Sequence, residues 1–196
     1  MITTDNFGAS FGQFLSKTEN TQQISNWIAR NSKSKLEALQ HASHIAYHYN
    51  QYKSDMETYG VVEKFATPDE VLKRGVGDCD CKSGLVCAIL DGLPPELRPD
   101  ETHVTIGRYM AMFPPNPFEY HAWAEARIGD TWYVLDGTSG EVAPKPDIRY
   151  IPMFHMYPDK VTMNNPGVEM LLVAPLIPAL TFQTAIRKFT REMNEK

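Results

Sequence analysis

The chain has 196 residues, a net charge of -5, 42% apolar residues and 22% charged residues. That is long enough to bury one core and too apolar for a disordered chain. The absence of a Lys/Arg block argues against nucleic acid as a partner. The longest apolar stretch, Met170 to Leu180, is broken by Pro175 and Pro178, far short of the roughly 20 residues that span a bilayer.

The N-terminus, MITTDNFGASFGQF, has no basic start leading into an apolar run, so the expectation is a cytoplasmic protein without a signal peptide or membrane span. Three cysteines, Cys79, Cys81 and Cys87, crowd into one segment. An odd, clustered set is no disulfide framework, and it directs attention to thiol chemistry.

In chain order, residues 1–20 read as a polar arm. Ile24, Trp27 and Ile28 have helical spacing in a short segment that Asn31 to Ser34 ends. A longer helix runs from about Ser34 to Gln51, with Leu36, Leu39, Ala42, Ala46 and Tyr49 as its expected buried face. Thr67-Pro68-Asp69-Glu70 is a capping box with Pro at the first helical position, and Gly75 stops that helix. A third helix begins near Cys79 and ends at Gly92. Its run Leu85, Val86, Ala88, Ile89 and Leu90 is apolar nearly all round, as a central buried helix requires.

The second half reads as sheet. His103 to Met112 alternates, and Pro114, Pro115 and Pro117 break it. His121–Ile128 and Thr131–Leu135 flank Gly129-Asp130, a two-residue hairpin signal. Residues 139–180 are Pro-rich and carry no clear period. From Thr181 a helix is expected, with Phe182, Ala185, Ile186, Phe189 and Met193 on one face. Helices followed by an antiparallel sheet define an α+β fold. The division is an arm with a short helix over 1–34, a core over 35–140, and a Pro-rich tail with a C-terminal helix packed on the same domain over 141–196.

Two of these segments carry chemistry. Cys79 sits where the turn Gly75-Val76-Gly77 hands over to the apolar helix. The unpaired N–H groups and dipole of a helix start favour a thiolate. Asp78 and Asp80 oppose it, so a cationic neighbour is required. The hairpin supplies one. With Ile128 opposite Thr131, His121 faces Thr138 and Trp123 faces Asp136, all on one side of the sheet. His121 and Asp136 are then diagonal neighbours with Cα atoms about 7–8 Å apart, a gap that an imidazole and a carboxylate bridge. Nucleophile, base and orienter are thereby assembled from two motifs.

Competing assignments exist. Cys81 is a second thiol at the helix start, Cys87 reads as core, and Glu125 shares the face of His121. Cys79 and Cys81 form C-x-C, which gives little support to a zinc site. His41, His44 and His48 share a helix face opposite the apolar one and read as solvated. No metal and no cofactor is expected.

The run TPDEVLKRGVGDCDCKSGL resembles the nucleophile segment of transglutaminase-like proteins, and HAWAEARIGDTWYVLDGT resembles their His and Asp motifs. The resemblance covers roughly residues 35–140. It implies a papain-like fold, with a central helix carrying the cysteine packed on an antiparallel sheet. It also implies thiol-dependent attack on an amide carbonyl, with the nucleophile at Cys79, the base at His121 and the carboxylate at Asp136. Cys81 stands where relatives often carry an acidic residue, and Gly137 where many carry Pro. The expected partner is a peptide or other amide substrate, hydrolysed in preference to being transferred to an amine. The alternatives are an acyltransferase and a non-catalytic binding or assembly module docking through the N-terminal arm or the C-terminal helix.

Overall fold

A computed structural model describes residues 11–62, 64–110 and 118–164. The helix expected from Thr181 lies outside these residues. The first half is helical: α1 (Gly12–Leu15), α2 (Glu19–Asn31), α3 (Lys35–His48), α4 (Asp55–Tyr59), α5 (Pro68–Arg74) and α6 (Cys79–Asp91). Two short strands, β1 (Gln51–Tyr52) and β2 (Val76–Gly77), pair in parallel just ahead of α6. The remainder is strand: β3 (Glu101–Met110), β4 (Phe118–Ile128), β5 (Thr131–Asp136), β6 (Glu141–Pro144), β7 (Tyr150–Met156) and β8 (Val161–Met163). These six form one antiparallel sheet in the order β6-β5-β4-β3-β7-β8.

Local chemistry sets the boundaries. The Thr67 side chain accepts from the Glu70 N–H and Glu70 accepts from the Thr67 N–H, completing the capping box; Gly75 ends α5 at φ 65. Ile128 pairs with Thr131 across Gly129-Asp130, the register read from the sequence.

β4 alternates by design. Ala122, Ala124 and Ala126 face the helices and share one core with Leu85, Val86, Ile89 and Leu90 of α6. Alanines on that face let a helix backbone approach the sheet closely. The odd-numbered residues of β4 face the other way, where Trp123 packs with Val134, Tyr150 and Tyr109.

Three features depart from the sequence reading. Part of the expected arm is packed: Phe11 and Leu15 are buried, and the Phe11 ring meets Phe65 edge-on. Gly84 of α6 makes this possible, because a Cβ there would come within 2.8 Å of the Phe14 carbonyl oxygen. The buried face of α3 is Ala38, Leu39, Ala42, Ser43 and Ala46, while Leu36 and Tyr49 are exposed. Small residues win because α3 lies close to both α6 and the sheet, and Ser43 Oγ donates to the Asp136 carbonyl at 3.2 Å. Finally, residues 141–164, which have no clear period, supply three strands. The chain leaves β6 at one edge and crosses above β5, β4 and β3 to reach β7. On the way, Lys145 N–H donates to the Trp132 carbonyl and Met110 N–H to that of Arg149.

The crossing tests one position sharply. At Gly107 of β3 an added Cβ would collide with the Ile151 carbonyl oxygen and come within 2.6 Å of Trp123 Cη2. Gly107→Ala should therefore cost about 3 kcal/mol by overpacking. Gly129→Ala, in open space at φ 59, should cost only about 1 kcal/mol of left-handed backbone strain. Urea unfolding of the two variants measures the difference.

Candidate active site

Cys79 is the first residue of α6, with Asp78 at the N-cap making no side-chain capping bond. It is half-buried and in no disulfide. The ladder that joins Tyr52 to Gly77 brings Tyr52 to the same end of α6. Burial, then the charges of Cys79, Asp78, Asp80 and Glu119, push the Tyr52 phenol up to about 12. Glu119, the weakest of these influences, precedes His121 by two residues on β4.

The hairpin joins His121 to Asp136. His121 Nε2 is 2.9 Å from Asp136 Oδ2, and the pair is largely buried. Thr138 N–H donates to Asp136 Oδ1 at 2.8 Å, and the Tyr150 hydroxyl donates to Oδ2 at 3.0 Å. Burial works to raise the Asp136 carboxyl. The His121 bond and charge, the Thr138 N–H and the Tyr150 hydroxyl outweigh it and hold the carboxyl below its usual range. The corner after β5 touches the first turn of α6: a Cβ on Gly137 would meet Lys82 Cβ at 3.2 Å. Lys82 follows Cys79 by three residues, so this corner packs on the turn of α6 that Cys79 begins.

Glu125 does not compete for His121. It is buried against Trp123 Nε1 at 2.8 Å, His103 Nε2 at 3.3 Å, and Lys145 Nζ at 2.8 and 2.7 Å from its two oxygens. Cys81 is buried, its thiol directed to the Lys64 carbonyl at 3.6 Å. Burial first, then Asp80 and Asp78, push that thiol strongly upward. Cys87 is buried in the core and raised by burial. His44 and His48 are exposed, as their helix face suggested, whereas His41 is half-buried, 2.9 Å from Ser32 Oγ through Nδ1 and edge-on to Trp27.

Sequence reasoning missed two features. Tyr150 falls in the Pro-rich stretch without a readable period. Asp55, Asp78 and Cys81 converge with ligand atoms within 4.8 Å of one another. Asp78 Oδ1 is buried there without a hydrogen-bond partner among the described residues. Asp55, whose carboxylate accepts from the Lys64 N–H, is raised to about 6 by burial and by Asp78.

Two outcomes follow. With iodoacetamide at neutral pH, site-resolved mass spectrometry should find Cys79 alkylated first, with Cys81 and Cys87 reacting only on unfolding. The second concerns Glu125. Burial would raise it, but the bond to His103 and the charge and bonds of Lys145 hold it down to about 2 from an ordinary 4.5. A carboxyl depressed on folding stabilises the protein above its unfolded value. That stability, roughly 3 kcal/mol, is lost as pH falls from about 4.5 toward 2. Glu125→Gln should flatten this part of the stability-pH curve, measured by urea unfolding at stepped pH.

No family model and no curated protein sequence matches this chain. Solved structures do. Legionella pneumophila LapG, a transglutaminase-like cysteine protease, superposes with a TM-score of 0.56 at 14% identity, over 80% of this chain and 93% of that one. A calcium-bound form of the same protein gives 0.55 at 14% identity, over 75% and 87%. The crystal structure of a "putative cysteine protease" from Cytophaga hutchinsonii gives 0.53 at 17% identity, over 77% of this chain and 50% of that one. At these identities the likeness is one of fold: the chain has the transglutaminase-like, papain-like architecture, a cysteine-bearing helix packed on an antiparallel sheet. Among the described residues, no helix is long and apolar enough to cross a membrane.

Proposed function

We propose that this chain is a thiol-dependent peptidase or amidase with Cys79 as nucleophile, His121 as base and Asp136 as orienter. The observation that carries the reading is the part-buried 2.9 Å bond from His121 Nε2 to Asp136; Cys79 opens the helix whose first turn meets the Gly137 corner that follows this carboxylate. With Nε2 committed to the carboxylate, Nδ1 is the nitrogen left for the thiol. The Cys79 thiolate adds to the amide carbonyl, and the α6 N-terminus, through the Cys79 N–H, stabilises the oxyanion. The C–N bond breaks as His121 delivers its proton to the leaving amine. His121 then takes a proton from water, which cleaves the thioester to acid and free thiol. Asp136 stays ionised throughout and keeps the imidazole in one orientation. Cysteine protease relatives in fold, LapG and the Cytophaga protein, favour a peptide as substrate. Three cysteines, none in a disulfide, suit a reducing cytoplasmic compartment.

One of those structures is a calcium-bound form. In this chain Asp55 and Asp78 are the residues that would hold a hard cation: two carboxylates repelling each other, one with an orphaned oxygen. The Cys81 thiol beside them is a poor calcium donor. Such an ion would add positive charge at the N-cap of α6.

The test is a kinetic series on an amide substrate. Cys79→Ala and His121→Ala should reduce turnover to background. Asp136→Asn should lower kcat about 10²–10⁴-fold with the fold intact. If Glu125→Gln lowers kcat more than Asp136→Asn does, the assignment of the orienter is wrong. A labelled primary amine at millimolar concentration separates the two chemistries: free acid should dominate, and an amine adduct would mark a transferase. Unchanged turnover in Cys79→Ala, or no turnover and no acyl adduct in the parent chain, would favour a binding module.

A further inference from the structure

Tyr150 lies outside both motifs, at the start of β7, yet it reaches the carboxylate that holds His121. Its hydroxyl donates at 3.0 Å to Asp136 Oδ2, the oxygen that also takes the His121 bond at 2.9 Å. The other oxygen is occupied by the Thr138 N–H. The Tyr150 side chain is fixed: it is 4% exposed, its ring packs against Trp123 at 5.1 Å and Tyr109 at 5.0 Å, and the Arg149 guanidinium lies over it at 5.6 Å.

We infer that Tyr150 is a positioning residue that tunes His121 through the shared Asp136 oxygen. This inference rests on the triad reading above. Two donors on one oxygen divide its charge. The hydroxyl draws density away from Oδ2, so the carboxylate holds the imidazolium less tightly than it would alone. It also fixes the plane of the carboxylate, and hence the ring orientation. A tyrosine that merely satisfied its own buried hydroxyl would have no such effect on His121.

Other groups act on the same place. Lys82 from α6 lies within reach of the Asp136 charge. Tyr109 from β3 packs on the His121 ring at 5.6 Å. Glu141 from β6 pairs with Arg149 and bears on the Tyr150 phenol. Burial, and then Asp136, raise that phenol, so Tyr150 stays a protonated donor. None of these other groups bonds the shared oxygen among the described residues.

The experiment compares the full chain with its Tyr150→Phe variant by NMR titration of the His121 ring, which needs no turnover. Losing the hydroxyl should move the His121 midpoint upward by about half a unit to one unit, the worth of one hydrogen bond. The alkaline limb of kcat/KM should move up by the same amount. An unmoved or lowered midpoint in a folded variant overturns the inference. If Tyr150→Phe does not fold, 3-fluorotyrosine at position 150 replaces it. That phenol is more acidic and a stronger donor, so the midpoint should fall, and an unmoved one overturns the inference equally. Absence of amidase activity in the parent chain would count against the proposed function alone, since the titration reads the Tyr150-Asp136-His121 coupling directly.

Discussion

A carboxylate taken out of water where β5 ends is the constraint around which this molecule is arranged. Left bare, a buried Asp136 would keep its proton or the strand would not close. It ionises because three donors converge on it: an imidazole from β4, a backbone N–H from the turn that follows, and a phenol from β7. Each donor comes from a different stretch of chain, so the register of the hairpin, the turn at Gly137-Thr138 and the docking of β7 must all be right at once. The first turn of α6 then has a fixed wall, the Gly137 corner, to pack against.

The alternation of β4 separates two kinds of work. Its alanines give α6 and α3 a flat apolar bed. Its other face holds the polar and aromatic side chains: His121 over Trp123, and Trp123 anchored in turn by Glu125. Glu125 is fastened by Lys145 from the crossing segment. That pair is asymmetric, with the carboxylate buried and the ammonium partly exposed. Removing Lys145 leaves the buried Glu125 carboxylate without its lysine partner, whereas Lys145, a quarter exposed, can turn to water when Glu125 is lost.

How much of this was legible in the sequence follows from the range of each interaction. The capping box at Thr67, the stop at Gly75, the extent of α6 and the hairpin register are local signals, and the structure has them all. From that register alone, His121 and Asp136 were placed within bonding reach. Leu39, Ala42 and Ala46 of α3 are legible as its buried stripe, whereas Leu36 and Tyr49 fit the same stripe and are exposed. Only the closeness of α6 and the sheet decides for Ala38 and Ser43. Tyr150 and the strands β6 to β8 were unreadable, since prolines interrupt the alternation and their partners lie far away in sequence. The Asp55, Asp78 and Cys81 cluster was equally hidden, because it joins α4 to the start of α6 across a fold contact and not across a spacing.

The crossing from β6 to β7 also sets an order of assembly. The chain is synthesised from the N-terminus, so α6 with its thiol and then the β4-β5 hairpin leave the ribosome before Tyr150 does. Until β7 docks, Asp136 lacks its phenol donor, and the face bearing His121 lacks the segment that passes over it. A half-made chain therefore leaves this end of the sheet open to solvent, with its carboxylate still hydrated. The carboxylate takes its buried form only when a late strand, β7, docks beside β3, so a residue made after the hairpin completes the burial of one made within it.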